Sequence, residues 1–222
     1  NLKVLWRPSM SIGYLGINRA HGPLDSLLVR EAIAHAVNVQ SLIDNYYPLG
    51  TQVAQQFLPP ALWGHDPSIT GYTYDPELAR SLLAQAGYPN GFTTTLTYRN
   101  VVRQYLMNPV AVAEAIHADL LSVGIDAQLV TMESGLFLDK VNRGELDLFL
   151  LGWGADYPHP DNFFYDVLCK GYLAFGPRDD VLCNQVSAAY FESFPAGQLA
   201  AYQAAARRVH TTLPLLPIAH AR

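Results

Sequence analysis

Residues 92–153 spell strand, helix, strand, helix, strand, and no other feature of this 222-residue chain limits its fold as sharply. Residues 93–98 alternate and are rich in β-branched side chains, which is the pattern of a strand. Asn108 is placed to cap a helix and Pro109 to open it, with Val112, Ile116, Leu120 and Leu121 along one face until Gly124. Residues 125–131 form the next strand, 135–143 a short helix and 146–151 a strongly apolar strand. Parallel neighbours need such crossovers, so the order predicts an α/β fold with a largely parallel sheet and helices over its faces. The last strand has few polar side chains, as expected where both faces are covered.

The flanks extend this pattern. Residues 14–18 read as a short strand. Asp25 can then cap a helix with Leu28, Ala32, Ile33, Ala36 and Val37 on its buried face; Arg30, Glu31 and Asn38 fall outside that stripe, and His35 borders it. A second helix start follows at Asp75 and Pro76, with a buried stripe of Leu78, Leu82, Leu83 and Ala86 and a stop at Gly87. Residues 195–212 form an Ala-rich helix with Leu199, Tyr202, Ala206 and Val209 on one side. Residues 213–219 run extended through Pro214 and Pro217. Between the first two of these helices, residues 48–74 lose regular periodicity and are rich in proline and glycine. Such a long irregular segment is either functional or pinned by packing.

Composition removes several classes of function. Half of the residues are hydrophobic and 15% are charged, which excludes disorder for most of the length. A net charge of -5 without a Lys/Arg cluster argues against a nucleic-acid surface. No apolar run approaches the roughly 18 residues needed to span a bilayer. Residues 1–10 carry neither an initiating Met nor a signal-peptide pattern and read as the interior of a longer protein. The seven histidines are scattered without HxH or HxxxH spacing, so no metal site or cofactor is expected. There is also no GxSxG, no HExxH and no phosphate loop ending in GK[ST], and the chain reads as a non-enzyme. Asp179 and Asp180 read as a solvated turn. Cys169 and Cys183 are either free thiols in a core or a disulfide closing the loop between them. The polar character of that loop, which carries Gly and Pro, favours the disulfide.

Chemistry is best placed where the strand over 146–151 ends. In open α/β sheets, ligands bind beyond the carboxyl ends of strands. Here the strand runs into Gly152-Trp153-Gly154-Ala155-Asp156-Tyr157. Glycine lets backbone come close to a ligand. Trp153 and Tyr157 offer flat apolar walls with polar tips. Asp156 adds one fixed negative charge, suited to a cation such as a free amino terminus. The competing reading is a loop that only starts the helix over 161–168.

Four blocks, in order along nearly the whole chain, carry a resemblance: YLGINRAHGPLDSLLVREAIAHAVNVQSLI, YDPELARSLLAQAGYPNGF, AIHADLLSVGIDAQL and RGELDLFLLGWGADYPHPDNFF. Together they resemble the second lobe of the peptide/nickel (family 5) solute-binding proteins of ABC importers, in the dipeptide/oligopeptide branch. The resemblance implies a type II periplasmic-binding-protein-like lobe, with residues 1–222 as one lobe of a two-lobed protein that buries ligand between its lobes. It implies an extracytoplasmic protein, periplasmic or extracellular, with a lipoprotein anchor as one arrangement of the full-length molecule. Its partners would be a short peptide and a membrane permease, with the binding protein acting as a monomer. Trp153, Gly154, Asp156 and Tyr157 would contact the ligand, with Asp156 pairing with the peptide's α-ammonium. A Cys pair spaced like Cys169 and Cys183 occurs as a disulfide in dipeptide-binding members. A non-peptide cationic cargo and a sensory or chaperone-like module are the rival readings.

Overall fold

A computed structural model describes residues 9–221. Its centre is a six-stranded sheet built from β1 (Ser11–Ile17), β2 (Gln52–Val53), β3 (Phe92–Tyr98), β4 (Ile125–Thr131), β5 (Leu148–Gly154) and β6 (Leu215–His220), in the spatial order β2-β6-β1-β5-β3-β4. The expected parallel crossover unit is present, since β3 pairs in parallel with both β4 and β5. The remaining pairs, β1 with β5, β1 with β6 and β2 with β6, are antiparallel. The sheet is therefore mixed and not largely parallel: the parallel unit β5-β3-β4 is continued by the antiparallel strands β1, β6 and β2.

Alternation along the strands sorts side chains to two faces. Leu148 and Leu150 of β5 join Leu15 and Ile17 of β1 in one core. That core is covered by α1 (Leu27–Ala36), α2 (Val39–Tyr46), α3 (Pro76–Gln85) and α4 (Pro109–Ser122). Phe149 faces the opposite way with Ile12 and Tyr14. Their core is closed by α5 (Ser134–Arg143), α6 (Asp161–Phe163), α7 (Asp180–Phe191) and α8 (Pro195–Thr212). The short α6 continues as a wider π-type turn over Phe164–Cys169.

Cap chemistry explains several boundaries. Asp75 and Asn108 accept the backbone N–H groups of Leu78 and Ala111, with Pro76 and Pro109 in the first turn, as expected. Asp25 does not cap α1. Arg30, expected outside the buried stripe, is itself buried and donates to the carbonyls of Leu24 and Asp25, holding the helix entry from inside. Leu78, Leu121 and Leu199 lie exposed, while Ala79 packs where α3 meets α1. Asp179 is not solvated: it caps α7 through the Leu182 N–H and forms an ion pair with Arg208 at 2.8 Å. The sequence does not mark α7 clearly, because apolar residues lie on its exposed face (Val181, Tyr190, Phe191) as well as its buried one (Leu182, Cys183, Val186, Ala189) and blur the stripe.

The irregular segment is pinned by packing. Phe57, Leu58 and Leu62 enter the second core. The buried Gln56 side chain donates to the Asp66 carbonyl at 2.6 Å, and the Asp66 carboxylate pairs with Arg207 of α8. Cys169 and Cys183 form a disulfide, with Cα atoms 5.5 Å apart.

Candidate ligand-binding site

The carboxyl ends of β3, β4 and β5 lie at one edge of the sheet, as parallel pairing requires. Two segments meet there. One follows β3 and spans 99–108; the other follows β5. The first can lie flat on the sheet only because Gly13 and Gly152 lack side chains. A Cβ on Gly152 would come 2.2 Å from the Tyr105 ring, and one on Gly13 would come 2.3 Å from the Tyr105 carbonyl oxygen. The Tyr47 hydroxyl donates to that same carbonyl. Gly152 therefore admits Tyr105, where sequence reading assigned the glycines to ligand approach.

The segment after β5 is organised by Asn162, a residue the sequence reading did not single out. Asn162 is fully buried. Its Oδ1 accepts the Trp153 indole N–H at 3.1 Å and the Asp156 backbone N–H at 2.9 Å. Its Nδ2 donates to Asp166 at 2.8 Å, and the other Asp166 oxygen accepts from Lys170 at 3.1 Å. One amide thus fixes the Trp153 ring and the Asp156 backbone together. Nothing in a lone sequence marks a buried Asn as such a hub, because its partners are defined only by the fold.

The Asp156 side chain is exposed, and among the described residues its carboxylate has no ion-pair partner. It does not cap α6, whose preceding residue is Pro160. An open cavity of about 390 Å³ is lined by Trp153, Gly154, Asp156, Asp166 and Lys170, and from the β3 side by Arg99 and Tyr105. Tyr157 lies outside it. Together with His159 and the two disulfide cysteines, it lines a neighbouring depression of about 730 Å³ across the π-type turn. Asp166 borders both.

The ionisable groups around Tyr157 are shifted by their surroundings. Burial, reinforced by the Asp166 charge, raises the Tyr157 phenol. Burial lowers His159 against the pull of Asp161, and burial raises Asp161. His159 sits among Trp63 and Tyr202, with ring centroids 4.9 and 5.6 Å away, so it serves the aromatic packing. Among the described residues there is no cluster of three or more His, Cys, Asp or Glu side chains that could hold a metal ion. No helix there is long and apolar enough to cross a membrane.

A mixed sheet covered by helices on both faces, with an open cavity at the carboxyl ends of its parallel strands, is the α/β fold of the type II periplasmic-binding-protein class. The model of the bacterial extracellular solute-binding proteins, family 5 (middle), matches residues 1–173, and the chain belongs to that family. It is 38% identical over 164 residues to the dipeptide-binding protein of Escherichia coli, covering 74% of this chain and 31% of that protein. It is 32% identical over 226 residues to heme-binding protein A of Haemophilus influenzae, covering 99% of this chain and 41% of that protein. Among solved structures, a dipeptide-binding protein from Pseudoalteromonas in complex with Met-Leu superposes with a TM-score of 0.92 at 30% identity, over 96% of this chain and 43% of that one. The chain thus spans less than half the length of these relatives.

Proposed function

We propose that this chain is the ligand-receiving lobe of a two-lobed extracytoplasmic binding protein, periplasmic or extracellular, that captures short peptides and delivers them to the permease of an ABC importer. Its role is binding and release, without bond chemistry. The observation that carries this reading is the Asp156 carboxylate. It lies exposed at the rim of a cavity walled by Trp153, with its backbone held by Asn162 and, among the described residues, no ion-pair partner. A carboxylate so placed suits an α-ammonium, and lobe closure would strip water from the pair and strengthen the bond. The named cargo of the Escherichia coli and Pseudoalteromonas relatives supports peptides. The name of the Haemophilus influenzae relative favours a second reading, in which the same lobe takes a non-peptide solute.

The test uses the full-length protein and calorimetry. Asp156→Ala and acetylation of the peptide's amino group should each cost about 2–5 kcal/mol, roughly 30-fold to several thousand-fold in affinity. Combined, they should be strongly non-additive, because the second change removes an interaction already lost. Tyr157→Phe should cost less and couple weakly to acetylation. Equal binding of free and acetylated peptides by the wild type would leave Asp156 without this role.

A further inference from the structure

Four guanidiniums meet at the edge of the sheet opposite the cavity of Asp156. β1 ends beside Leu148, where β5 begins, so the loops after β1 and after β5 are separated by the length of a strand, roughly 20 Å. An open pocket of about 430 Å³ at that far edge is lined by Arg19 from the loop after β1, Arg30 of α1, Arg178 just before α7 and Arg208 of α8. Asp25, Asp179 and Asp180 line it as well. Two of the cations are matched, Arg208 with Asp179 at 2.8 Å and Arg178 with Asp180 at 3.3 Å. Arg19 and Arg30 have no carboxylate partner among the described residues. Carbonyls hold them instead. Arg19 donates to Phe175 at 3.0 Å and to Pro177 at 2.7 Å. Arg30, only 6% exposed, donates to Leu24, Asp25 and, at the carboxyl end of α8, Thr212. A guanidinium has five N–H donors, and these bonds leave Nη1 of Arg19 and Nη2 of Arg30 without an acceptor among the described residues. Carbonyls orient a cation without cancelling its charge. Burial lowers the Arg19 pKa against the pull of Asp179, and the Arg208 charge lowers it further; burial and the Arg19 charge lower that of Arg30. The cations thus repel one another across the pocket.

We propose that this pocket binds a phosphate group, with Arg19 and Arg30 as donors and the exposed Arg178 as a third. A carboxylate has two oxygens and fills one guanidinium fork. A phosphate has more acceptor oxygens and up to two charges, so it can engage guanidiniums that arrive from several elements. The walls are fixed before any ligand arrives. Gly176, at φ 84°, lets its turn lie against residues 18–20, where a Cβ would meet the Ala20 nitrogen at 2.6 Å. That contact sets the two carbonyls that hold Arg19. Because the pocket is open, the phosphate can be free or carry a substituent. Its source is either dissolved phosphate or a phospholipid headgroup, and the chemistry at the arginines is the same.

The experiment uses the full-length protein without peptide, as wild type, Arg19→Gln and Arg178→Gln. Calorimetry reads inorganic phosphate and glycerol 1-phosphate against acetate at matched ionic strength. Co-sedimentation reads vesicles of phosphatidylglycerol and phosphatidylcholine in equal parts. Dissolved phosphate should bind wild type with a dissociation constant of about 1 mM or tighter, and acetate should give no saturable signal. Arg19→Gln should weaken phosphate binding at least about tenfold. Arg178→Gln, which removes an exposed side chain, should weaken it about threefold. Phosphate binding with these losses, and no sedimentation, identifies dissolved phosphate as the source. Sedimentation that the same substitutions weaken identifies the headgroup, whether or not dissolved phosphate binds too. Where Arg19→Gln does not fold, Arg178→Gln decides. The proposal is overturned if neither phosphate nor vesicles bind wild type, if acetate binds as well as phosphate, or if binding is unchanged in a folded variant. No peptide enters these measurements, so their outcome is independent of the cargo bound near Asp156.

Discussion

His220 shows how a single residue ties this fold to pH. Only 4% exposed, it has one ring nitrogen 3.2 Å from the Ser11 carbonyl and the other without a protein partner among the described residues. Burial pushes its pKa from the ordinary 6.5 down to about 4, against the opposing pull of the Ser11 hydrogen bond. The folded state holds the ring neutral, while the unfolded chain takes up a proton at higher pH. The stabilisation is therefore complete above pH 6.5 and lost as pH falls toward 4, at up to about 1.4 kcal/mol per pH unit. Urea melts of wild type and His220→Gln across this range should show that slope reduced in the variant; equal slopes would remove His220 as its source. Asn162 acts at the same scale. Asn162→Leu keeps the volume but strands the Trp153 indole N–H, the Asp156 N–H and an Asp166 oxygen. A loss of about 2–4 kcal/mol in stability is expected, with altered Trp153 fluorescence as the local readout.

At the scale of elements, the disulfide joins the π-type turn after α6 to α7 and walls the larger depression. Closing a loop of about 15 residues contributes about 3 kcal/mol on the chain-entropy account. Cys183→Ala should lower the unfolding free energy by about that amount, and unreduced protein should show no alkylated thiols by intact mass. The segment after β3, which lies over β1 and β5, depends on missing side chains instead. Gly152→Ala should displace Tyr105 from the sheet and with it the hydroxyl that holds Arg99. Helix starts marked by Asp75-Pro76 and Asn108-Pro109 were legible because caps act within four residues. The start of α1 was not, because a buried Arg30 overrides the expected cap through bonds that form only once the chain has turned.

For the whole molecule, the cavity is open on one side, and the chain covers 31–41% of the two curated relatives. A ligand held here alone would leave much of its surface in water and forgo the preorganisation of a closed site. Residues 1–222 by themselves should bind peptides with dissociation constants weaker than about 100 μM in calorimetry. Sub-micromolar binding by this chain alone would show that a second wall is dispensable.

What the sequence determined by itself was local or periodic. The crossover unit from β3 to β5, the caps of α3 and α4, the span of α8 and the Gly/aromatic stretch around Asp156 all follow from spacing and residue type within short windows. The tertiary structure alone decided the antiparallel half of the sheet, since pairing β1 with β6 joins residues some 200 positions apart. It decided the burial of Arg30, Asn162 and Arg99 as well. Polar side chains carry no periodic signal, and whether one is buried depends on distant carbonyls, amides and rings that only the packed chain brings within hydrogen-bonding reach.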